Sequence, residues 1–180
     1  WWHQDTRTSS FDFTARMIPK TLLVDSHGRT IRDLRISITD RCNFRCLYCL
    51  PETEAAANFY RGRWQDSPQK PIQHAWKPKN EILSFEEIER ITRIATHCGI
   101  DKIRLTGGEP LLRKNVVSLV QKLAAIPGVS DLAMTTNGFL FPKCAEELKA
   151  AGLHRISISL DSFDKDNFKR LTGKQGLDEV

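Results

Sequence analysis

Apolar and polar residues alternate with period two in four short runs, at 34–39, 102–106, 131–136 and 155–160. Alternation of this kind puts every second side chain on one face of a strand. In the first run Leu34, Ile36 and Ile38 share one face and Arg35, Ser37 and Thr39 the other. Ile103 and Leu105 oppose Arg104 and Thr106 in the second, and Leu132 and Met134 oppose Ala133, Thr135 and Asn137 in the third. The fourth sets Ile156, Ile158 and Leu160 against Ser157, Ser159 and Asp161. Between these runs the period lengthens to that of a helix. Ser84 and Glu87 form a capping box ahead of a stripe of Ile88, Ile91, Ala95 and Cys98, with Gly99 as its stop. Val116, Val117, Val120, Leu123 and Ala124 make a second stripe, ended by Pro127 and Gly128. Pro142 opens a third helix carrying Ala145, Leu148 and Ala151, which stops at Gly152.

Strands alternating with helices of this length predict parallel βαβ units, so the fold class is α/β. Strands buried in parallel sheets usually read as unbroken apolar runs, because both faces are covered. These do not. Helices on the apolar side would leave the four polar sets lining one concavity. Arg and Asp buried there without partners would be costly, so the concavity is expected to hold water or a polar ligand. An open sheet with one solvated face is the alternative. Residues 1–16 are polar, mixed in charge and aperiodic, and read as a disordered lead before Met17. Residues 17–180 then form one unit, interrupted by a Pro-, Trp- and Lys/Arg-containing insertion at 53–80 that reads as a surface excursion. Thr172 to Gly176 reads as a loop, and Leu177 to Val180 as the start of a further helix.

A length of 180 residues suits one domain, and 40% apolar with 27% charged residues excludes general disorder. The apolar runs are far shorter than the roughly 18 residues needed to span a bilayer, and no secretory pattern opens the chain. The net charge of +5 suits an anionic ligand but is too diffuse to argue for nucleic acid. Five cysteines, three of them within eight residues, do not make a secreted disulfide framework. The expectation is a cytoplasmic protein, with no membrane partner, that binds something through sulfur.

Those three, Cys42, Cys46 and Cys49, are spaced C-x3-C-x2-C directly after the first predicted strand. Three close thiolates need a cation to hold them, and iron or zinc is the usual one. Ferredoxin clusters use four cysteines, and a structural zinc needs a fourth ligand, for which the nearest downstream candidate is His74. Three ligands alone leave a coordination position open, which is a catalytic arrangement. Cys98 and Cys144 fall on helical patterns and read as packing or surface thiols. A zinc-stabilised module binding nucleic acid through Cys42, Cys46, Cys49, His74 and the basic insertion is the rival from a different class.

The cysteine spacing, Tyr48 just before the third cysteine, and Thr106-Gly107-Gly108-Glu109-Pro110 at the end of the second strand together resemble the radical S-adenosylmethionine superfamily. Within it, the runs 31–46, 103–111, 135–138 and 155–161 are similar to the GTP 3′,8-cyclase family of molybdenum cofactor biosynthesis. The resemblance implies a 4Fe-4S cluster on Cys42, Cys46 and Cys49, with one iron left for the amino and carboxylate groups of S-adenosylmethionine. It implies S-adenosylmethionine contacts at Tyr48, Gly108 and Ser159, and GTP contacts at Arg35, Arg104 and Thr135. Alternation alone puts Arg35, Arg104, Thr135 and Ser159 on the polar side, without reference to any family. The implied reaction is a lyase step from GTP to (8S)-3′,8-cyclo-7,8-dihydroguanosine 5′-triphosphate, fed by an external electron donor, with a homodimer of the whole enzyme left open. The resemblance implies a partial (βα) TIM-like barrel with parallel strands, here truncated after about four βα units. The family's second cysteine trio, near its C-terminus, has no counterpart in these 180 residues, so the chain reads as an N-terminal portion. Another radical S-adenosylmethionine enzyme, such as a peptide-modifying one, would share the cysteines and glycines but would not need Arg35 and Arg104 facing the cavity.

Overall fold

The computed structural model describes residues 22–49, 54–60 and 75–180. The predicted lead at 1–16, His74 and most of the 53–80 insertion lie outside the described residues. Four strands form one sheet: β1 (Asp33–Ser37), β2 (Lys102–Thr106), β3 (Asp131–Thr136) and β4 (Arg155–Ile158). All pairings are parallel and the spatial order is β1-β2-β3-β4. An order that follows the sequence without reversal is that of a barrel segment, whereas a doubly wound sheet reverses at a switch point.

The helices are α1 (Glu54–Tyr60), α2 (Phe85–His97), α3 (Val116–Ala124), α4 (Ala145–Ala150) and α5 (Lys165–Thr172). The second, third and fourth cover the apolar face of the sheet. Ile36, Ile38, Ile103, Leu105, Leu132 and Met134 point into one core with Ile88 of α2, Leu119 and Leu123 of α3 and Leu148 of α4. At about 25 cal/mol per Å² of apolar surface removed from water, this layer is the main stabilising term. Its opposite face is the polar one that the alternation predicts.

α2 begins as the sequence indicates. The Ser84 hydroxyl accepts from the Glu87 amide at 3.1 Å, and the Glu87 carboxylate accepts from the Ser84 amide at 2.7 Å. Its buried stripe is wider than expected, because Thr92 and Thr96 are buried as well, with their hydroxyls donating to the carbonyls of Ile88 and Arg93. Cys98 is the C-cap residue rather than a member of the helix.

Other boundaries differ from the sequence reading. β1 ends at Ser37 and β4 at Ile158, each two residues short of its predicted end, because the chain leaves the ladder where it turns into the loops at the strand tips. Ile158 is 40% exposed at the open edge of the sheet, where alternation alone would bury it. Pro142 lies in a 3-10 turn (Phe141–Lys143), and α4 starts only after Cys144, its N-cap. Leu177–Glu179 is a 3-10 turn rather than a helix start. Within the insertion, α1 carries two fully buried residues, Ala56 and Ala57. The sequence pattern gives no assignment for α5. No helix among the described residues is long and apolar enough to cross a membrane.

The capping box gives a direct test. Ser84→Ala removes the acceptor for the Glu87 amide and half of the reciprocal pair, so urea unfolding should show a loss of about 1 kcal/mol with an unchanged m-value.

Candidate functional site

The polar face is organised in rows by strand register. Arg35 of β1 pairs with Arg104 of β2, Arg104 with Ala133 of β3, and Ala133 with Arg155 of β4. Parallel partners project to the same side, so Arg35, Arg104 and Arg155 share one row. The row before it holds Asp33, Lys102 and Asp131. Arg104 Nη1 donates to Thr135 Oγ1 at 3.2 Å and to Ser157 Oγ at 3.0 Å, which spreads its guanidinium over three strands. Arg155 forms a two-point ion pair with Asp131, and the arginine beside it keeps the Asp131 carboxyl below its ordinary range. Arg35 is exposed and makes no ion pair or hydrogen bond among the described residues. Four cations therefore stand against two carboxylates on this face, and among the described residues only Arg155 is paired with an acid, which leaves the guanidinium groups of Arg35 and Arg104 un-neutralised.

The loop carrying the cysteines lies across the C-terminal ends of the strands. It has little regular structure and takes hydrogen bonds from its surroundings. The Gly108 amide donates to Thr39 O at 2.7 Å and the Glu109 amide to Arg41 O at 2.8 Å. On the other side the Arg45 and Leu47 amides donate to the carbonyls of Thr172 and Leu171 at the end of α5, both at 2.9 Å. Phe44 is buried, with its ring edge-on to Phe139 at 6.0 Å and to Phe168 of α5 at 5.8 Å. The Tyr48 hydroxyl donates to Asp161 Oδ2 at 2.6 Å, tying the loop to the tip of β4 two residues beyond Ser159.

The two glycines of the second motif have a structural explanation. A Cβ on Gly107 would stand 2.3 Å from Thr39 O, and one on Gly108 would stand 2.3 Å from Arg41 O. Both contacts are with backbone, which cannot swing aside. The glycines thus admit the cysteine loop's own main chain, a close approach that the sequence alone does not announce.

Glu109 completes the arrangement, and the sequence reading gives it no role. It is fully buried. Its carboxylate accepts from the Leu111 amide at 2.9 Å, the Thr136 hydroxyl at 2.7 Å and the Asn137 amide at 2.7 Å. Asn137 in turn donates from Nδ2 to Asn43 Oδ1 at 2.8 Å, with Cys42 Sγ at 4.0 Å from the same nitrogen. A lone acid between two glycines and Pro110-Leu111-Leu112 is the available signal, since an acid in an apolar context needs donors. Lys102 and Ser157 are likewise legible only through strand register.

Cys42 and Cys46 are half-buried and Cys49 is exposed. Burial pushes the Cys42 thiol up, with a smaller contribution from the charge of Glu109, and pushes Cys46 up to about 11. Among the described residues no group of three His, Cys, Asp or Glu side chains is gathered around a point where one metal ion would sit. A cubane cluster asks for something different. Its irons occupy separate corners, each taking one thiolate, so three cysteines strung along a loop suit that donor chemistry. The backbone cradle made by Gly107 and Gly108 keeps that loop at the sheet's edge.

The family model described as Radical SAM superfamily matches residues 36–180, which include every one of these groups except Asp33 and Arg35. The chain belongs to that superfamily. Among the curated relatives it matches are proteins named GTP 3′,8-cyclase from Staphylococcus carnosus (45% identical over 84% of this chain and 40% of the relative). Others come from Syntrophomonas wolfei (48% identical, 88% and 43%) and Thermodesulfovibrio yellowstonii (47%, 87% and 43%). The chain spans about two fifths of the length of these relatives. A solved structure of BtrN in complex with AdoMet and 2-DOIA aligns with a TM-score of 0.49 at 18% identity, over 84% of this chain and 54% of that one. As a radical SAM chain, it uses the superfamily's cofactors, a 4Fe-4S cluster and S-adenosylmethionine.

The raised thiol values set a pH dependence. Iron is bound by thiolate, so loading this radical SAM chain releases protons. With the Cys46 thiol at about 11, moving from about pH 7 to about pH 9 raises its thiolate fraction about a hundredfold. Anaerobic cluster assembly, followed by visible absorption, should therefore accelerate across that window. The metal-free protein should behave oppositely. Its folded state holds the Cys46 proton more tightly than the unfolded chain, so stability is full below about pH 9 and falls as pH rises towards 11.

Proposed function

We propose that this chain carries the N-terminal half-site of a GTP 3′,8-cyclase, acting in the cytoplasm in molybdenum cofactor biosynthesis. The reading is supported most by the two un-neutralised guanidinium groups, Arg35 and Arg104, side by side on the polar face beneath the cysteine loop. A nucleoside triphosphate is the anion that such a row suits, and guanidinium groups engage phosphate through paired, charge-assisted hydrogen bonds. The names of the relatives point the same way.

In this reading Cys42, Cys46 and Cys49 hold three irons of the cluster. When bound, the cluster and S-adenosylmethionine would supply an electron and a 5′-deoxyadenosyl radical able to take the ribose 3′ hydrogen of GTP. The chain's own residues position the reactants. Tyr48, fixed by Asp161, and Ser159 flank S-adenosylmethionine from the loop and from the tip of β4, and Gly108 offers main chain to it. Arg35 and Arg104 bind the triphosphate, and Thr135 both steadies Arg104 and lines the nucleotide side. Holding the 3′ carbon near the radical source converts an encounter in solution into an oriented reaction, an effect that reaches several kcal/mol. The electron comes from an external donor, and neither nucleic acid nor membrane has a role.

Equilibrium dialysis with GTP tests the assignment. Arg35→Ala and Arg104→Ala should each weaken binding by about tenfold or more, the usual cost of losing a charged hydrogen-bond partner. Unchanged GTP binding in both variants, or 5′-deoxyadenosine formation that responds to a peptide and not to GTP, would favour a peptide-modifying radical SAM enzyme instead.

A further inference from the structure

Glu109 presents a problem of charge. Its carboxylate is fully buried, no lysine, arginine or histidine among the described residues reaches it, and its partners are three neutral donors. Two of those are main-chain amides, which can only donate, and Thr136 Oγ1 turns its own lone pair to the Gly138 amide at 3.1 Å. A donor set of this kind satisfies an ionised carboxylate without neutralising it. Hydrogen bonds lower the cost of burial, but the unit of negative charge stays in a poorly screened interior. An uncharged side chain would have closed the same turn more cheaply.

The charge is directed at one place. The carboxylate fixes the Asn137 amide, and both ends of the Asn137 side chain are engaged. Its Oδ1 accepts from the Phe139 amide at 3.2 Å, and Nδ2 donates to Asn43 Oδ1 beside Cys42. Glu109 also holds the start of the cysteine loop through its own amide, on Arg41 O. From carboxylate to Cys42 sulfur the path therefore runs through a single residue, Asn137.

We infer that Glu109 is a positioning and electrostatic residue whose buried negative charge, held against the Cys42 end of the loop through Asn137, keeps the reduction potential of the bound cluster low. Reduction adds an electron beside a fixed negative charge, and an unscreened anion disfavours that step. A low potential is what a cluster needs if its electron is to break a carbon–sulfur bond of S-adenosylmethionine. This role rests on the cluster being held by Cys42, Cys46 and Cys49.

The test is an anaerobic redox titration of the cluster-loaded protein, without S-adenosylmethionine, monitored by electron paramagnetic resonance. Glu109→Gln keeps the shape and removes the charge, so its midpoint should move to a more positive potential at unchanged iron and sulfide per chain. Thr136→Val removes a hydrogen bond to the same carboxylate and leaves the charge. It should lose stability while its midpoint moves less than that of Glu109→Gln. Asn137→Asp adds a carboxylate on the Cys42 side and should move the midpoint in the negative direction. This arm decides the matter even if Glu109→Gln loses iron. A midpoint unmoved in Glu109→Gln, a shift as large in Thr136→Val, or a positive shift in Asn137→Asp overturns the inference. Failure of the unaltered protein to take up iron and sulfide at all would overturn the cluster reading itself.

Discussion

The cysteine loop cannot hold its own shape, and most of the structure around it follows from that. Between Thr39 and Cys49 the described main chain closes one turn of its own, from the Cys49 amide to Cys46 O. A few local side-chain bonds add to it, such as the Phe44 amide on Cys42 Sγ and the Arg45 guanidinium on the carbonyls of Cys42 and Phe44. The remaining support is borrowed. Gly108 and Glu109 supply amides on one side, the last carbonyls of α5 accept on the other, and the Phe44 ring is wedged between Phe139 and Phe168. A loop fixed by three separate elements can present thiols in a set geometry while remaining open to solvent at Cys49. The same dependence explains why two glycines stand at a strand tip. Any side chain there would collide with the loop's main chain, and the loop would lose two of its anchors.

The sheet supplies the second half of the arrangement. An all-parallel sheet in sequential order, with helices on one face, has to leave its other face to water or to a ligand. Here that face is cationic at its centre and hydroxylic at its upper edge. Arg104 shows how such a face stays ordered without an acid: two hydroxyls from neighbouring strands hold the guanidinium and leave its charge available. Arg155 is the contrast, because Asp131 answers its charge directly. The loop above and the cations below face the same space, so an anionic substrate and the sulfur-bound metal would be brought together by topology alone.

Much of this is legible in the sequence, for identifiable reasons. Period-two alternation is a property of the strand backbone, so it assigns Arg35, Arg104, Thr135 and Ser159 to the polar side with no knowledge of which strands pair. The capping box at Ser84 and the stop at Gly99 are equally local, and both hold. What the sequence does not reveal depends on pairing across distance. Glu109 is an ordinary acid until Thr136 and Asn137, 27 and 28 residues away, are seen to donate to it. Asp161 becomes informative only through Tyr48, 113 residues before it. α5 lacks a clear apolar stripe because a single aromatic, Phe168, does most of its packing, and it packs on the cysteine loop. The partly exposed Ile158 reflects an edge that no periodicity encodes.

The proposed function turns on three cysteines that would hold a cluster with its fourth iron free to meet S-adenosylmethionine. The most direct measurement is the electron paramagnetic resonance spectrum of the dithionite-reduced, cluster-loaded protein before and after S-adenosylmethionine is added. A spectrum typical of a reduced 4Fe-4S cluster that changes on addition, in shape as well as intensity, is the predicted result. A cluster spectrum indifferent to S-adenosylmethionine, or a protein loaded with metal but without inorganic sulfide, would contradict it.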